Sequence, residues 1–222
     1  MSQLLTSFTR KIEDWASKKG LIYKLAESYY HDVIRREVIL ADIKEDDHVL
    51  CIGGGICPFS AILLHQITGA AVTVIDNNLS CVKKARSVIK RFGLKDHIKV
   101  LCQDGRSSNL SFSEYSVVHF ALQVCPKDWV FSNVENHVAP GTKLLLRCSK
   151  RCSLSKHPLL HYCPCTTHSA RNIGSTLLYI KQEDVYEDNA KARRHSADPP
   201  PKEPVLACGA SGFDDGRGPM AV

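Results

Sequence analysis

The sequence predicts an α/β fold: a doubly wound, mostly parallel sheet with a helical N-terminal lead-in and an irregular C-terminal tail. Three observations predict it. Short apolar runs alternate with helix-period segments from about residue 48 to residue 147. The runs are mostly apolar, as in strands covered on both faces. The first run ends in three glycines, and the next two end at Asp76 and Asp104.

Residues 4–42 carry helical spacing. Phe8, Ile12 and Trp15 share one face. After a break at Gly20, the face continues through Leu21, Leu25, Tyr29, Val33 and Val38. This second helix also carries Tyr30, His31, Arg35 and Arg36. His48–Ile52 (HVLCI) is the first predicted strand. Residues 58–68 (PFSAILLHQIT) predict a helix, because Pro58 is tolerated in a first turn and Gly69 stops the run. Residues 71–75 (AVTVI) form a β-branched strand that runs into Asp76. Residues 79–92 predict a basic amphipathic helix with Val82, Ala85 and Ile89 on one face, ended by Gly93. Residues 98–102 (IKVLC) are the third strand and residues 115–121 the fourth. A helix about residues 128–138 follows, and Pro140-Gly141 turns the chain into a fifth strand at 143–147 (KLLLR). Right-handed crossovers between such strands wind the sheet in both directions, and ligands bind beyond the strands' carboxyl ends.

After Arg147 the pattern fails. Residues 149–172 are rich in Ser, His, Cys, Pro and Lys and show no period. Residues 176–181 (TLLYIK) read as one more strand. From Asp184 the chain turns polar, then carries three consecutive prolines and a glycine-rich end, so a disordered tail is expected. The expected organisation is a lead-in at 1–44, a ligand-binding domain at 45–182 and a tail at 183–222.

Composition bounds the function. The 222 residues suffice for one α/β domain, and 44% hydrophobic with 23% charged residues is ordinary for a globular chain. No apolar run reaches membrane-spanning length, and the start MSQLLTSFTRKIEDW lacks the apolar core of a secretory signal. A cytoplasmic protein with no membrane partner is expected. The net charge of +6 is scattered, and the densest basic stretch, residues 191–195, lies in the tail, so no nucleic-acid partner is expected. Ten cysteines without a secretory signal do not imply disulfides. Cys51, Cys81, Cys102, Cys125 and Cys148, in or beside apolar segments, read as small buried hydrophobes.

The residues that carry chemistry lie at strand ends. In residues 51–59 (CIGGGICPF) the glycines allow a sharp turn and close approach of a ligand to the backbone. The helix that follows offers free N–H groups. Asp76, about 20 positions on, is placed to accept hydrogen bonds from ribose hydroxyls; the competing role is a helix N-cap. Asp104, followed by Gly105, is placed to accept from an adenine amine; the competing role is a turn aspartate. Three such signals at three successive strand ends are more specific together than any one alone.

Residues 48–105 resemble the cofactor-binding half of S-adenosylmethionine-dependent methyltransferases, through VLCIGGG, AVTVIDNN and IKVLCQDG. The resemblance runs on through VVHFALQV to about residue 148. It implies a Rossmann-like methyltransferase fold and S-adenosylmethionine as cofactor. By resemblance, Gly53, Gly54 and Gly55 hold the methionine part and Asp76 the ribose. Asn77 lies against the adenine, and Asp104 with Gly105 holds its amine side. Ala121, Leu122 and Gln123 border both methionine and acceptor.

The loop departs from the family's pattern, with Cys51 where an acidic residue is usual and Cys57 in place of the last glycine. Its Gly-Gly-Gly-x-x-Pro form is similar to nicotianamine-synthase-like enzymes, which transfer the aminobutyryl arm of the same cofactor. Tyr29, Tyr30 and Glu37 are the candidates for that family's catalytic Tyr and Glu; His119 and His31 are conceivable bases, but the preferred reading of each is a core or surface histidine. The family's final antiparallel strand pair is not legible, so the fold is either truncated or diverged after residue 148. The expected activity is methyl transfer to a small-molecule acceptor. The alternatives are aminobutyryl transfer and a non-catalytic S-adenosylmethionine-binding module. Two further classes compete. One is a metal site at Cys148, Cys152, Cys163, Cys165 and His168, whose loose spacings disfavour it, so no metal is expected. The other is a nicotinamide oxidoreductase, which leaves Asp104 unexplained.

Overall fold

A computed structural model describes residues 20–107, 111–150, 160, 162–170 and 172–183. Phe8, Ile12, Trp15, Cys152 and the tail from residue 184 lie outside the described residues, as do the side chains of Leu21 and Leu25.

Seven strands form one sheet: β1 (His48–Ile52), β2 (Ala71–Asp76), β3 (Ile98–Cys102), β4 (Val117–Phe120), β5 (Lys143–Cys148), β6 (Cys165–Thr167) and β7 (Ser175–Ile180). Their order is β3-β2-β1-β4-β5-β7-β6. The first five strands pair in parallel, and β7 runs antiparallel to both β5 and β6. Among the described residues, four helices accompany the sheet: α1 (Gly20–Ala41), α2 (Phe59–Thr68), α3 (Leu79–Arg91) and α4 (Lys127–Glu135). The α/β, doubly wound expectation therefore holds.

Local chemistry sets the helix ends. The Asn78 side chain caps α3 by accepting from the backbone N–H of Ser80 and Cys81. Gly69 ends α2 at φ 78°, a left-handed conformation that favours glycine. The Arg86 side chain ties α3 to β3 by donating to the Val100 carbonyl at 2.9 Å.

Alternation along each strand divides the core. Val49, Val74, Val117 and Leu145 pack on one face with Ile34 of α1, Ile62 of α2 and Val82 of α3. Leu50, Val118, Leu144 and Leu146 pack on the other face with Phe131 and Val134 of α4. In register, Cys51 lies beside His119, His119 beside Leu145, and Leu145 beside Leu178, so these four share the α1 face.

Two expectations are corrected. The final antiparallel pair is present. Sequence alone missed β6 because CTT is short and mostly exposed, and its identity comes from pairing with β7. Cys102 and Cys125 are exposed rather than buried, at the end of edge strand β3 and in the loop after β4; Cys51, Cys81 and Cys148 are buried.

Beneath α1 the apolar face is interrupted by charge. Glu37 and Arg147 are 0% and 2% exposed. Arg147 donates to both Glu37 oxygens, from Nε and Nη2, at 2.7 Å each. Its Nη1 reaches Ser60 Oγ at 2.8 Å, and the Thr176 hydroxyl donates to Glu37 Oε1 at 2.6 Å. Removing one member of such a pair strands the other charge out of water. Arg147→Ala should lower unfolding stability by about 3–5 kcal/mol in urea titration; a loss below about 1 kcal/mol would show that the pair is solvated.

Candidate functional site

The chain leaves β1 through Gly53, Gly54 and Gly55. The N–H groups of Gly53 and Gly54 donate to the Ile75 carbonyl, which folds the loop back on β2. Gly53 and Gly55 have φ of 85° and 62°, where a side chain would be strained. A Cβ on Gly54 would sit 2.1 Å from Val74 Cγ1. That glycine is set by contact with the sheet.

Asp76 closes the loop. Its Oδ2 accepts from the Gly55 N–H at 2.8 Å and its Oδ1 from the Asn78 N–H at 2.9 Å. Asn78, not Asp76, is the N-cap of α3. Each Asp76 oxygen can accept a second hydrogen bond. Asp104 is gripped by Arg106, whose Nε lies 3.0 and 3.1 Å from its two oxygens. Hydrogen bonds from the Arg106 side chain hold the Asp104 carboxyl down to about 2. The Arg106 guanidinium in turn lies 5.5 Å from the centre of the Trp129 ring. The Gly105 carbonyl accepts from Asn133 Nδ2 at 2.9 Å, and a Cβ there would lie 2.9 Å from Val130 Cγ1.

These residues surround a cleft of about 300 Å³ at the carboxyl ends of β1, β2 and β3. Gly53, Gly55, Asp76 and Asn77 line one part of it; Asp104, Gly105 and Gln123 line another. Gln103 also lines it, and its Oε1 is buried with no hydrogen-bond partner. The sequence reading passed over Gln103, whose only signal was its place before Asp104.

A second, smaller chamber of about 30 Å³ adjoins the first, sharing Ile52, Gly53 and Gln123 as walls. Gly54 and Ala121 line this chamber, together with Tyr30, His119 and Arg147. Leu122 lines neither cavity; its carbonyl accepts from Lys127 Nζ at 3.3 Å. His31 is exposed on α1 and lines neither. Tyr29 accepts from the Asn172 N–H at 3.3 Å. Tyr30 stacks on Phe59 and carries the Arg147 guanidinium 5.8 Å from its ring centre.

Charge in the small chamber is settled by burial and pairing. Burial would raise the Glu37 carboxyl, but Arg147 and then His119 hold it well below the usual carboxylate range. Burial, then the Arg147 charge, hold His119 below its ordinary value despite Glu37 nearby. Burial pushes the Cys51 thiol up to about 12, so it is not a thiolate nucleophile at neutral pH. At the hairpin, His168 Nε2 bonds Thr176 Oγ1 at 2.9 Å, Cys148 is buried and Cys165 is exposed. No group of three His, Cys, Asp or Glu side chains that could hold a metal ion occurs among the described residues. No helix among them is long and apolar enough to cross a membrane.

No family model matches this chain, and no curated protein matches it. Solved structures do. A glutamate-to-glutamine mutant of the nicotianamine synthase MtNAS, in complex with S-adenosylmethionine, superposes at TM-score 0.70 and 19% identity, covering 81% of this chain and 76% of that one. MtNAS in complex with MTA and tNA gives 0.65 and 20%, covering 77% and 69%. An RNA methyltransferase from Salinibacter ruber in complex with S-adenosyl-L-homocysteine gives 0.56 and 22%, covering 71% and 95%. The chain has a class I methyltransferase-like fold. Within this methyltransferase-like fold the two cavities lie where the strand order reverses, on either side of the turn after β1.

Two measurements check the geometry. Gly54→Ala should destabilise the protein by about 1–3 kcal/mol in urea titration, because Val74 is core and cannot retreat; a neutral effect would mean the loop does not rest on β2. Acid should also destabilise it. Glu37 and His119 both sit below their ordinary values of 4.5 and 6.5, so the unfolded chain takes up each proton first. Their contributions are present above those values and are lost as pH falls. His119→Gln should flatten the decline in stability between about pH 6.5 and pH 5; an unchanged slope would show that His119 is not held neutral.

Proposed function

We propose that this chain is an S-adenosylmethionine-dependent transferase that modifies a small-molecule acceptor, with methyl transfer as its reaction. One observation carries the reading: the glycine loop and the acidic residues ending β2 and β3 converge on a single cleft large enough for a nucleoside-sized ligand. The polar groups present fit the cofactor. Asp76, Asp104 and the unpartnered Gln103 Oε1 are acceptors, and a ribose with an adenine amine offers donors.

In this reading Gly53 and Gly55 give room for the methionine part, and Gly54 holds the loop on the sheet. Asp76 takes the ribose hydroxyls; Asn77, Gln103, Asp104 and Gly105 surround the adenine. Ala121 and Gln123 border the acceptor side, and Leu122 supports that turn through its carbonyl. The bound cofactor supplies a carbon activated by an adjacent sulfonium. The chain supplies orientation and excludes water.

Aminobutyryl transfer is the second reading. It is favoured by the Gly-Gly-Gly-x-x-Pro loop and by the likeness to MtNAS over four-fifths of the chain. The by-products separate the two: S-adenosylhomocysteine marks methyl transfer and methylthioadenosine marks aminobutyryl transfer. Binding without either by-product would mark a non-catalytic module.

Calorimetric titration of S-adenosylmethionine tests the reading. Wild-type protein should bind, and Asp76→Ala should weaken binding at least tenfold, about 1.4 kcal/mol. A well-folded wild type that takes up no heat of binding would refute it.

A further inference from the structure

His119 is a buried side chain with an unmet ring nitrogen. It is 1% exposed, yet its Nδ1 makes no hydrogen bond among the described residues. Its Nε2 lies 3.3 Å from Glu37 Oε2, which attracts a proton to that nitrogen. Buried polar groups are almost always bonded, so an orphan of this kind calls for a reason. A histidine kept for packing alone would be better replaced by an apolar residue, as at Leu145 beside it. The ring instead lines the chamber that opens from the cofactor cleft at Gly53 and Gln123.

Glu37 is the other candidate base in the cluster, and its bonds disqualify it. Oε1 accepts from Arg147 Nε and from Thr176, and Oε2 from Arg147 Nη2. A carboxylate so held stays ionised and has no path to the chamber, whose walls do not include it. What it can do is stabilise a positive charge on His119.

We propose that His119 is the proton acceptor for the acceptor's nucleophile, with Glu37 as the residue that positions and balances it. This rests on the transferase reading. Glu37 Oε2 beside Nε2 favours the tautomer with the proton there, which leaves the Nδ1 lone pair free. The acceptor nucleophile, an O–H, N–H or S–H group, forms a bond to the transferred carbon. The carbon–sulfur bond breaks with its electron pair going to sulfur. The proton of the nucleophile passes to Nδ1, and water takes it from the imidazolium after product leaves. The charged groups acting on His119 are Glu37 of α1, Arg147 of β5 and Lys127 of α4, with the neutral Cys51 thiol of β1 alongside. Burial and the two cations keep the ring neutral, which a base must be before the step, and Glu37 offsets the charge after it.

The test uses the full chain and two readouts. In histidine-nitrogen NMR at pH 7, His119 should be neutral with its proton on Nε2. A charged ring, or a proton on Nδ1, would overturn the assignment. In turnover with catechol, glutamate and 2-mercaptoethanol as acceptor probes, both by-products are followed across pH. His119→Gln should lower kcat by about 10²–10⁴-fold and remove the acidic limb of the profile. Its affinity for S-adenosylmethionine, the folding control, should stay within about twofold, and His119→Asn should behave alike. Turnover of either variant within about threefold of wild type would overturn the proposal. So would wild type that binds cofactor but modifies none of the probes. Wild type that does not bind cofactor at all would remove the transferase reading itself, and the base with it.

Discussion

Arg147 grips Glu37 with two parallel hydrogen bonds in a place from which water is excluded. Charges so placed hold only if the remaining donors and acceptors are also met. Ser60 and Thr176 meet them, from α2 and β7. One network therefore joins α1, α2, β5 and β7. Its members come from residues 37, 60, 147 and 176, far apart in the chain. It also fixes register, since β7 shifted by one residue against β5 would turn Thr176 to the opposite face. The helix that roofs the small chamber and the guanidinium in its wall are thus positioned by the same contact.

The two cavities divide the labour by charge. The larger one, over the ends of β1 to β3, presents acceptors: Asp76, Asp104 and Gln103. The smaller one, toward β4 and β5, presents Arg147 against the aromatic face of Tyr30, and His119 with its Nδ1 unmet. Gly53 and Gln123 belong to both. This is the switch point of the sheet, where the turn after β1 leads one way and the turn after β4 the other. A reaction that brings a nucleotide-like cofactor and a small acceptor together would meet at that wall.

Much of this was legible in the sequence. Strands β1, β2, β4 and β5 showed as apolar runs because they are covered on both faces, and the glycines and Asp76 stood at the ends of the first two. Strand β6 was not legible, because three residues, two of them exposed, have no pattern and are a strand only through β7. The exposure of Cys102 and Cys125 depended on β3 being an edge strand and on the loop after β4 facing out, which spacing does not encode. Glu37 and His119 could be named as candidates, but their meeting under α1 could not, since tertiary packing alone brings residue 37 to residue 119. Leu122 was grouped with its neighbours by position, and it lines neither cavity.

The central claim is that the cleft over β1 to β3 is a cofactor site that opens onto the chamber of His119. A crystal structure of the full chain grown with S-adenosylhomocysteine tests it most directly. The account predicts the ribose hydroxyls on Asp76, the adenine beside Gln103 and Asp104, and the sulfur at the wall formed by Gly53 and Gln123, facing His119. A ligand bound elsewhere, or bound with its sulfur turned away from that wall, would contradict it.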